Sequence, residues 1–284
     1  MDSSLNLHPL NITDLLHRHG LHAKKGLGQN FLADHGALQK IAAAAEIPPN
    51  GLVLEVGPGL GSLTRHLASA AGEVIAVELD AGMLPVLEEV LAPWRNVRIV
   101  QGDILEQDPA LLVGNRPYIV VANIPYYITS AVIRHLLEAA VQPTRMVLTM
   151  QLEVAQRICA RPGDLSLLAL SVQVYGTPRI AVRIPAGAFV PAPKVDSAAL
   201  RIDLLDEPRI PAAQLDCFFH LARAGFQQKR KTLRNSLSSV MREGNRQSEA
   251  LLIAAEIDPQ RRAESLSIEE WGRLTACAVK MNLL

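Results

Sequence analysis

From residue 51 onward, short runs rich in β-branched and aliphatic residues (52–56, 74–78, 97–100, 118–122 and 146–150) alternate with stretches of helical period (62–70, 82–91, 130–140 and 151–159). A strand that is apolar along its whole length has no face to give to water, so both faces must be covered. Helices inserted between successive strands supply that cover and make the strands parallel. The expected fold class is α/β, a mainly parallel, doubly wound, Rossmann-like sheet. Strand-like runs at 171–175 and 198–203 follow without a clear helix between them, which predicts a late antiparallel pair. After Leu205 the segment D-E-P-R-I-P marks a linker, and helical patterns follow at 215–226, 229–241, 249–255 and 267–281. Ser267 and Glu270 have capping-box spacing at the start of the last of these. The expected organisation is an arm over 1–22, an α/β domain over 23–205 and a small helical domain over 206–284.

Composition narrows the function classes. The chain has 284 residues and three cysteines, at 159, 217 and 277, far apart and without metal-like or redox-like pairing. A reducing, cytoplasmic setting is expected. No apolar run approaches the roughly 20 residues of a membrane helix, and no secretory signal pattern is visible, so no membrane association is expected. His8, His17, His19 and His22 cluster in the arm without carboxylate or cysteine partners, and are read as surface residues rather than a metal site. The 28 basic and 28 acidic residues cancel, but not locally. Residues 31–110 hold eleven acids against four bases, whereas residues 221–246 hold seven bases against one acid. A zero total therefore does not exclude nucleic acid.

The loops after the predicted strands carry the chemistry. The first strand ends in L-E-V-G-P-G-L-G-S, with glycines at 57, 59 and 61 that allow a sharp turn and close approach of a ligand. A dinucleotide site would want its third glycine where Ser62 stands, and Pro58 removes one amide donor from a phosphate cradle. The second strand ends in V-E-L-D, where Glu78 can accept both hydroxyls of a ribose. The third ends in Q-G-D-I, where Asp103 can accept from an adenine amine. Each acid alone could be a simple helix cap. Following three successive strands in register, they point to a nucleoside cofactor without a pyrophosphate, and S-adenosylmethionine fits.

The fourth strand ends in N-I-P-Y. Pro125 stiffens the turn and presents the side chain of Asn123 and the carbonyl of Ile124. Two such oxygens can accept both hydrogens of an exocyclic amine and stabilise the positive charge that grows as its nitrogen attacks a methyl sulfonium. Tyr126 offers a face on which a base can stack. The chain has only 5 Phe, 2 Trp and 4 Tyr, and Phe31, Tyr126, Tyr127 and Phe189 all fall in these motif segments. Phe189 opens F-V-P-A-P-K-V-D-S, read as a rigid loop that presents its ring to the opposite face of an extruded base.

Taken together, G-Q-N-F-L (28–32), E-V-G-P-G-L-G (55–61), V-E-L-D (77–80), G-D (102–103), N-I-P-Y (123–126) and F-V-P-A-P-K-V-D-S (189–197) resemble the ribosomal RNA adenine dimethyltransferases. The likeness runs from about Lys24 to the C-terminus and is nearest to the bacterial small-subunit enzymes. It includes R-A-G-F-Q-Q-K-R-K-T-L-R-N-S-L (223–237) and R-A-E-S-L-S (262–267), similar to their helical domain. The resemblance implies a class I methyltransferase fold and dimethylation at N6 of two adjacent adenosines near the 3′ end of small-subunit RNA, linked to ribosome maturation. It implies that Asn30, Leu32, Gly57, Glu78, Asp103 and Asn123 line the S-adenosylmethionine site, with Gln29 beside them. It also implies that Tyr126 and Phe189 hold the target adenine. Ile124 stands where the small-subunit enzymes more often have Leu, and N-I-P-Y also occurs in large-subunit methyltransferases that confer macrolide resistance.

The partner expected is the RNA of an immature small ribosomal subunit, bound by a monomer. Lys229, Arg230, Lys231 and Arg234 are the expected RNA-binding residues. On the predicted helix, Arg230 and Arg234 share a face, and Lys24 and Lys25 could extend the footprint over the cofactor. Three other readings remain open on sequence alone. They are a large-subunit methyltransferase, an assembly or transcription factor with little catalysis, and, most distant, a nicotinamide oxidoreductase.

Overall fold

The computed structural model describes residues 7–283, apart from the side chain of Lys25. Its strands are β1 Phe31–Leu32, β2 Leu52–Val56, β3 Glu73–Glu78, β4 Val97–Gln101, β5 Tyr118–Asn123, β6 Arg145–Gln151, β7 Gly176–Ile184, β8 Phe189–Val190 and β9 Ser197–Leu204. Seven form one sheet in the order β4-β3-β2-β5-β6-β9-β7, and β1 pairs with β8. Strands β2 to β6 are parallel to their neighbours within that run, and β9 is antiparallel to β6. The strand order reverses between β2 and β5. A crevice opens at such a switch point, beyond the carboxyl ends of the strands.

The sequence explains this arrangement. All five residues of β2 are buried, as a strand covered on both faces requires. On one side Leu63 and Leu67, from the helix Ser62–Ala70, join Leu38 and Ile41, from the helix His35–Ala45, in a core with Val53, Val121 and Val147. Burying each such aliphatic side chain contributes about 1.5–3 kcal/mol. Asp34 caps the second of these helices by accepting from the Ala37 amide at 2.7 Å. The arm forms a helix, Ile12–Arg18, that sinks Ile12 and Leu15 into the same core. Arg18 and His19 both reach Glu89 at 2.8 Å.

Two element expectations are corrected. Residues 171–175 are not a strand, because helix Leu167–Gln173 covers most of them. The Ser166 hydroxyl caps it by accepting from the Ala169 amide, and Ala169, Leu170 and Val172 form its buried side. The β-branched residues there are too sparse to outweigh that cap. The strand in this region is instead β7, which carries Pro178 at the edge of the sheet, where a missing donor is tolerated. The helix expected over 229–241 is reduced to Leu233–Leu237 and a single tighter turn after it. Residues 229–231 lie in a turn closed by the Lys231 amide on the Gln228 carbonyl at 3.0 Å. The supposed shared helical face of Arg230 and Arg234 is therefore absent.

The chain divides into two compact units. One comprises the residues up to Ala155 together with Arg179–Leu204, and the other Gln156–Pro178 together with Leu205–Leu284. The segment 156–178, expected within the α/β domain, groups with the helical residues. The core of the second unit is built around Trp271. Its ring meets Phe218 edge-on at 6.4 Å and stacks with Phe226 at 6.0 Å. The capping box on Ser267 and Glu270 forms as expected at the start of helix Ile268–Lys280.

Candidate active site

A cavity at the carboxyl ends of β2, β3, β4 and β5 is lined by Asn30, Leu32, Gly57, Glu78, Asp103, Asn123, Ile124, Tyr126 and Phe189. Every residue assigned from the sequence to the cofactor or the target base faces this one space. The local reasons differ from strand to strand. After β2 the chain needs left-handed backbone at Gly57, Gly59 and Gly61, with φ of +67°, +58° and +80°, which side chains disfavour. At Gly59 there is a second constraint, because an added Cβ would lie 3.1 Å from the Phe31 ring. At Gly57 nothing lies within 4 Å, so the backbone there borders open cavity.

The acids at the strand ends are held differently. Glu78 is buried and accepts from the Gly59 amide at 3.0 Å through Oε2 and from the Asp80 amide at 2.8 Å through Oε1. Burial raises its pKa, and these amides partly offset the shift. Asp103 accepts from the Leu105 amide at 2.9 Å through Oδ1, leaving Oδ2 for another donor.

Glu55, at the penultimate position of β2, is 1% exposed and also lines the cavity. Burial pushes its carboxyl up to about 8, with the Thr64 hydroxyl lowering and Glu78 adding to the shift. Its Oε2 has no hydrogen-bond partner. Three carboxyl side chains thus border the space, and among the described residues no lysine, arginine or histidine lines it. Such a site has acceptors for amines and hydroxyls and no counter-charge for a phosphate.

At the end of β5, the Asn123 Nδ2 donates to the Asn30 carbonyl at 3.2 Å. That bond uses the donor end of the amide and leaves Oδ1 as an acceptor. The Tyr126 hydroxyl shares a 2.7 Å hydrogen bond with the buried Ser197 hydroxyl, which fixes its ring. Phe189 is not on an irregular loop as expected. It belongs to β8 and pairs with Leu32 of β1, so two motif segments far apart in sequence meet as a two-stranded ribbon.

Three residues carry contacts that the sequence alone does not assign. Glu55 and Ser197 lay inside quoted motifs but were given no role. Glu55 was nonetheless legible as an acid inside an otherwise apolar strand. Asp80, in V-E-L-D, is the third: it accepts at 3.1 Å from the side-chain amide of Gln29, a residue that also lines the cavity. Elsewhere in the chain, Lys229, Arg230 and Lys231 are exposed. Arg234 is partly buried and pairs with Glu249 at 2.9 Å. Among the described residues no group of three or more potential ligands could hold a metal ion, and no helix is long and apolar enough to cross a membrane.

Comparison with known proteins agrees with this geometry. The family model described as "Ribosomal RNA adenine dimethylase" matches residues 20–278. The chain is 47% identical over 262 residues to a "Ribosomal RNA small subunit methyltransferase A" of Dehalococcoides mccartyi, covering 92% of this chain and 90% of that protein. It is 41% identical over 284 residues to the protein of the same name from Lysinibacillus sphaericus, covering 94% of each. Among solved structures, the 23S rRNA methyltransferase ErmE is 31% identical with a TM-score of 0.70, covering 87% of this chain and 99% of ErmE. A dimethyladenosine transferase from Plasmodium falciparum shares the fold with a TM-score of 0.77 at 24% identity, covering 89% of this chain and 98% of that one. The chain belongs to the ribosomal RNA adenine dimethylase family.

Proposed function

We propose that the protein transfers methyl groups from S-adenosylmethionine to N6 of two adjacent adenosines near the 3′ end of small-subunit ribosomal RNA, acting as a monomer on an immature particle in the cytoplasm. The observation that carries this reading is a single cavity holding both the carboxyl cluster and the Asn123, Tyr126 and Phe189 set. A cationic nucleoside fits it well. The unpartnered Oε2 of Glu55 offers an acceptor to an amine, Glu78 to ribose hydroxyls, and the free oxygen of Asp103 to an adenine amine. Asn30, Leu32 and Gly57 line the rest of that space. When bound, S-adenosylmethionine supplies an electrophilic methyl group on sulfur.

The remaining work falls to the chain's own side chains. Asn123 Oδ1 and the Ile124 carbonyl accept the two N6 hydrogens of the target base. They thereby favour lone-pair density on nitrogen and stabilise its developing positive charge. Tyr126 and Phe189 hold the base between their rings and exclude water. No general base is required, because the proton on N6 becomes acidic once the methyl is attached. Orientation and electrostatics account for the rate. Lys229, Arg230 and Lys231 are proposed to hold RNA phosphates, whereas Arg234 is already committed to Glu249.

The similarity to methyltransferases named for the small subunit, at 41–47% identity, favours that RNA over the large-subunit substrate in ErmE's name, at 31%. The deciding experiment offers labelled S-adenosylmethionine with undermethylated small and large ribosomal particles. Label is expected in two adjacent adenosines of the small-subunit RNA. Label confined to large-subunit RNA, or absent from both, overturns the proposal.

A further inference from the structure

The cavity's outer wall is the segment from Leu27 to Leu32, and one side chain outside the cavity fastens it. Asp80 accepts from Lys24 Nζ at 2.8 Å and from Gln29 Nε2 at 3.1 Å, using both carboxylate oxygens. Gln29 closes the loop on itself, since its Oε1 accepts from the Lys24 amide at 2.8 Å. The two ends of 24–29 are therefore tied to each other and to Asp80. The tie continues in both directions. The Asp80 amide donates to Glu78, the acid at the end of β3. The residue after Gln29 is Asn30, whose carbonyl receives the Asn123 amide. Gly28 in this segment lies so close to the Tyr127 ring and Pro125 that a Cβ there would sit 3.2–3.3 Å from them. Asp80 thus joins Glu78, through its backbone amide, to the segment 24–30, through its carboxylate, and by way of Asn30 to the turn that bears Asn123.

We infer that Asp80 is a positioning residue that clasps the 24–30 segment over bound cofactor through Lys24 and Gln29, slowing cofactor release and keeping Asn123 turned for the target amine. The carboxylate is buried while Lys24 is half-exposed, so the clasp can open by moving the lysine side alone. This assignment differs from the footprint expected for Lys24 in the sequence, because its ammonium is engaged by a carboxylate of the same chain. Breaking one partly exposed ion pair and the two hydrogen bonds of Gln29 should speed release by about tenfold, equivalent to about 1.4 kcal/mol.

The inference rests on the cofactor reading above, and the test separates the two. The variant is Lys24→Met with Gln29→Met, which leaves Asp80 in place with its own bond to the Gly82 amide. Three quantities are read: S-adenosylmethionine dissociation by stopped flow, affinity for small ribosomal particles, and amide hydrogen exchange over 24–30 in the cofactor-free protein. The expected result is dissociation faster by about tenfold, faster exchange over 24–30, a melting transition that stays well above the assay temperature and unchanged particle affinity. Lys24→Arg, which keeps a donor for Asp80, should restore slow release when paired with native Gln29. Unchanged dissociation and exchange overturn the clasp. So does weaker, salt-sensitive particle binding with normal cofactor release, which would make Lys24 an RNA contact. A parent protein that binds no S-adenosylmethionine overturns the cofactor reading, and the clasp's role with it.

Discussion

The side-chain amide of Asn123 is useful at this site because its two ends are spent differently. Its NH2 is anchored on the Asn30 carbonyl, so its oxygen is presented as an acceptor with little freedom to flip. Asn123→Ala removes that acceptor and is expected to lower methylation kcat by about 10²–10³, the scale seen when a single preorganised dipole is deleted, with RNA binding intact. Near-normal turnover in a single-turnover assay would remove Asn123 from the reaction. Glu55 gives a pH prediction. Its carboxyl is pushed up to about 8 from 4.5, chiefly by burial, so between those values the folded state keeps a proton that the unfolded chain has released. Folding then takes up that proton, and stability must fall as pH rises through the window and level off above it. Glu55→Gln imitates the protonated acid and lacks this slope. In the cofactor-free protein the variant should gain on the parent by a few kcal/mol between about pH 5 and about pH 8, since one pKa unit is about 1.4 kcal/mol. Urea unfolding at both ends of the window checks this, and parallel curves would refute it.

At the scale of elements, what was legible depended on how local the determinant is. Helix Ser62–Ala70 and helix Leu215–Phe226 have the expected bounds because their apolar period is uninterrupted. The parallel strands were equally plain from their unbroken apolar runs. Residues 171–175 misled because a short run with two valines cannot be told from a buried helix by period, and the Ser166 cap lies outside it. The 229–241 segment misled because K-R-K-T-L-R suits a helix intrinsically, yet the chain turns there. The pairing of β1 with β8 joins segments more than 150 residues apart, and no local pattern encodes such contacts. Two helical glycines show how tertiary packing overrides propensity. Glycine-to-alanine in a helix normally adds about 1 kcal/mol. Gly36 meets only ordinary contact, with Asp34 Oδ1 at 3.4 Å, whereas a Cβ at Gly225 would lie 2.8 Å from the ring of buried Trp271. Gly36→Ala should raise the melting temperature, and Gly225→Ala should lower it by an amount equivalent to about 1–3 kcal/mol, as overpacking does. Calorimetric scans of both variants test this, and a rise for both would show that the Trp271 core can yield.

On the scale of the whole molecule, a net charge of zero conceals a division of labour. Among the described residues, those bordering the cavity supply carboxyl groups and no base, which suits a cationic cofactor and would repel a phosphate. Nucleic acid must then be held by charge placed elsewhere, and the seven bases against one acid in 221–246 are the chain's densest supply. Within that run the structure discriminates. Lys229, Arg230 and Lys231 project from a turn and are exposed, whereas Arg234 is tied to Glu249. Each phosphate contact releases condensed counterions, so the logarithm of affinity falls with the logarithm of salt, with a slope near −0.7 to −0.9 per contact. Reversing Lys229, Arg230 and Lys231 to Glu should therefore weaken binding to small ribosomal particles and flatten the salt slope by about two to three. Arg234→Gln should leave that slope unchanged and instead loosen its junction with the helix Asn245–Ala254. Filter binding of particles at graded salt separates the two outcomes. If the triple reversal leaves the slope intact while Arg234→Gln lowers it, the phosphate contacts lie on the helix rather than on the turn.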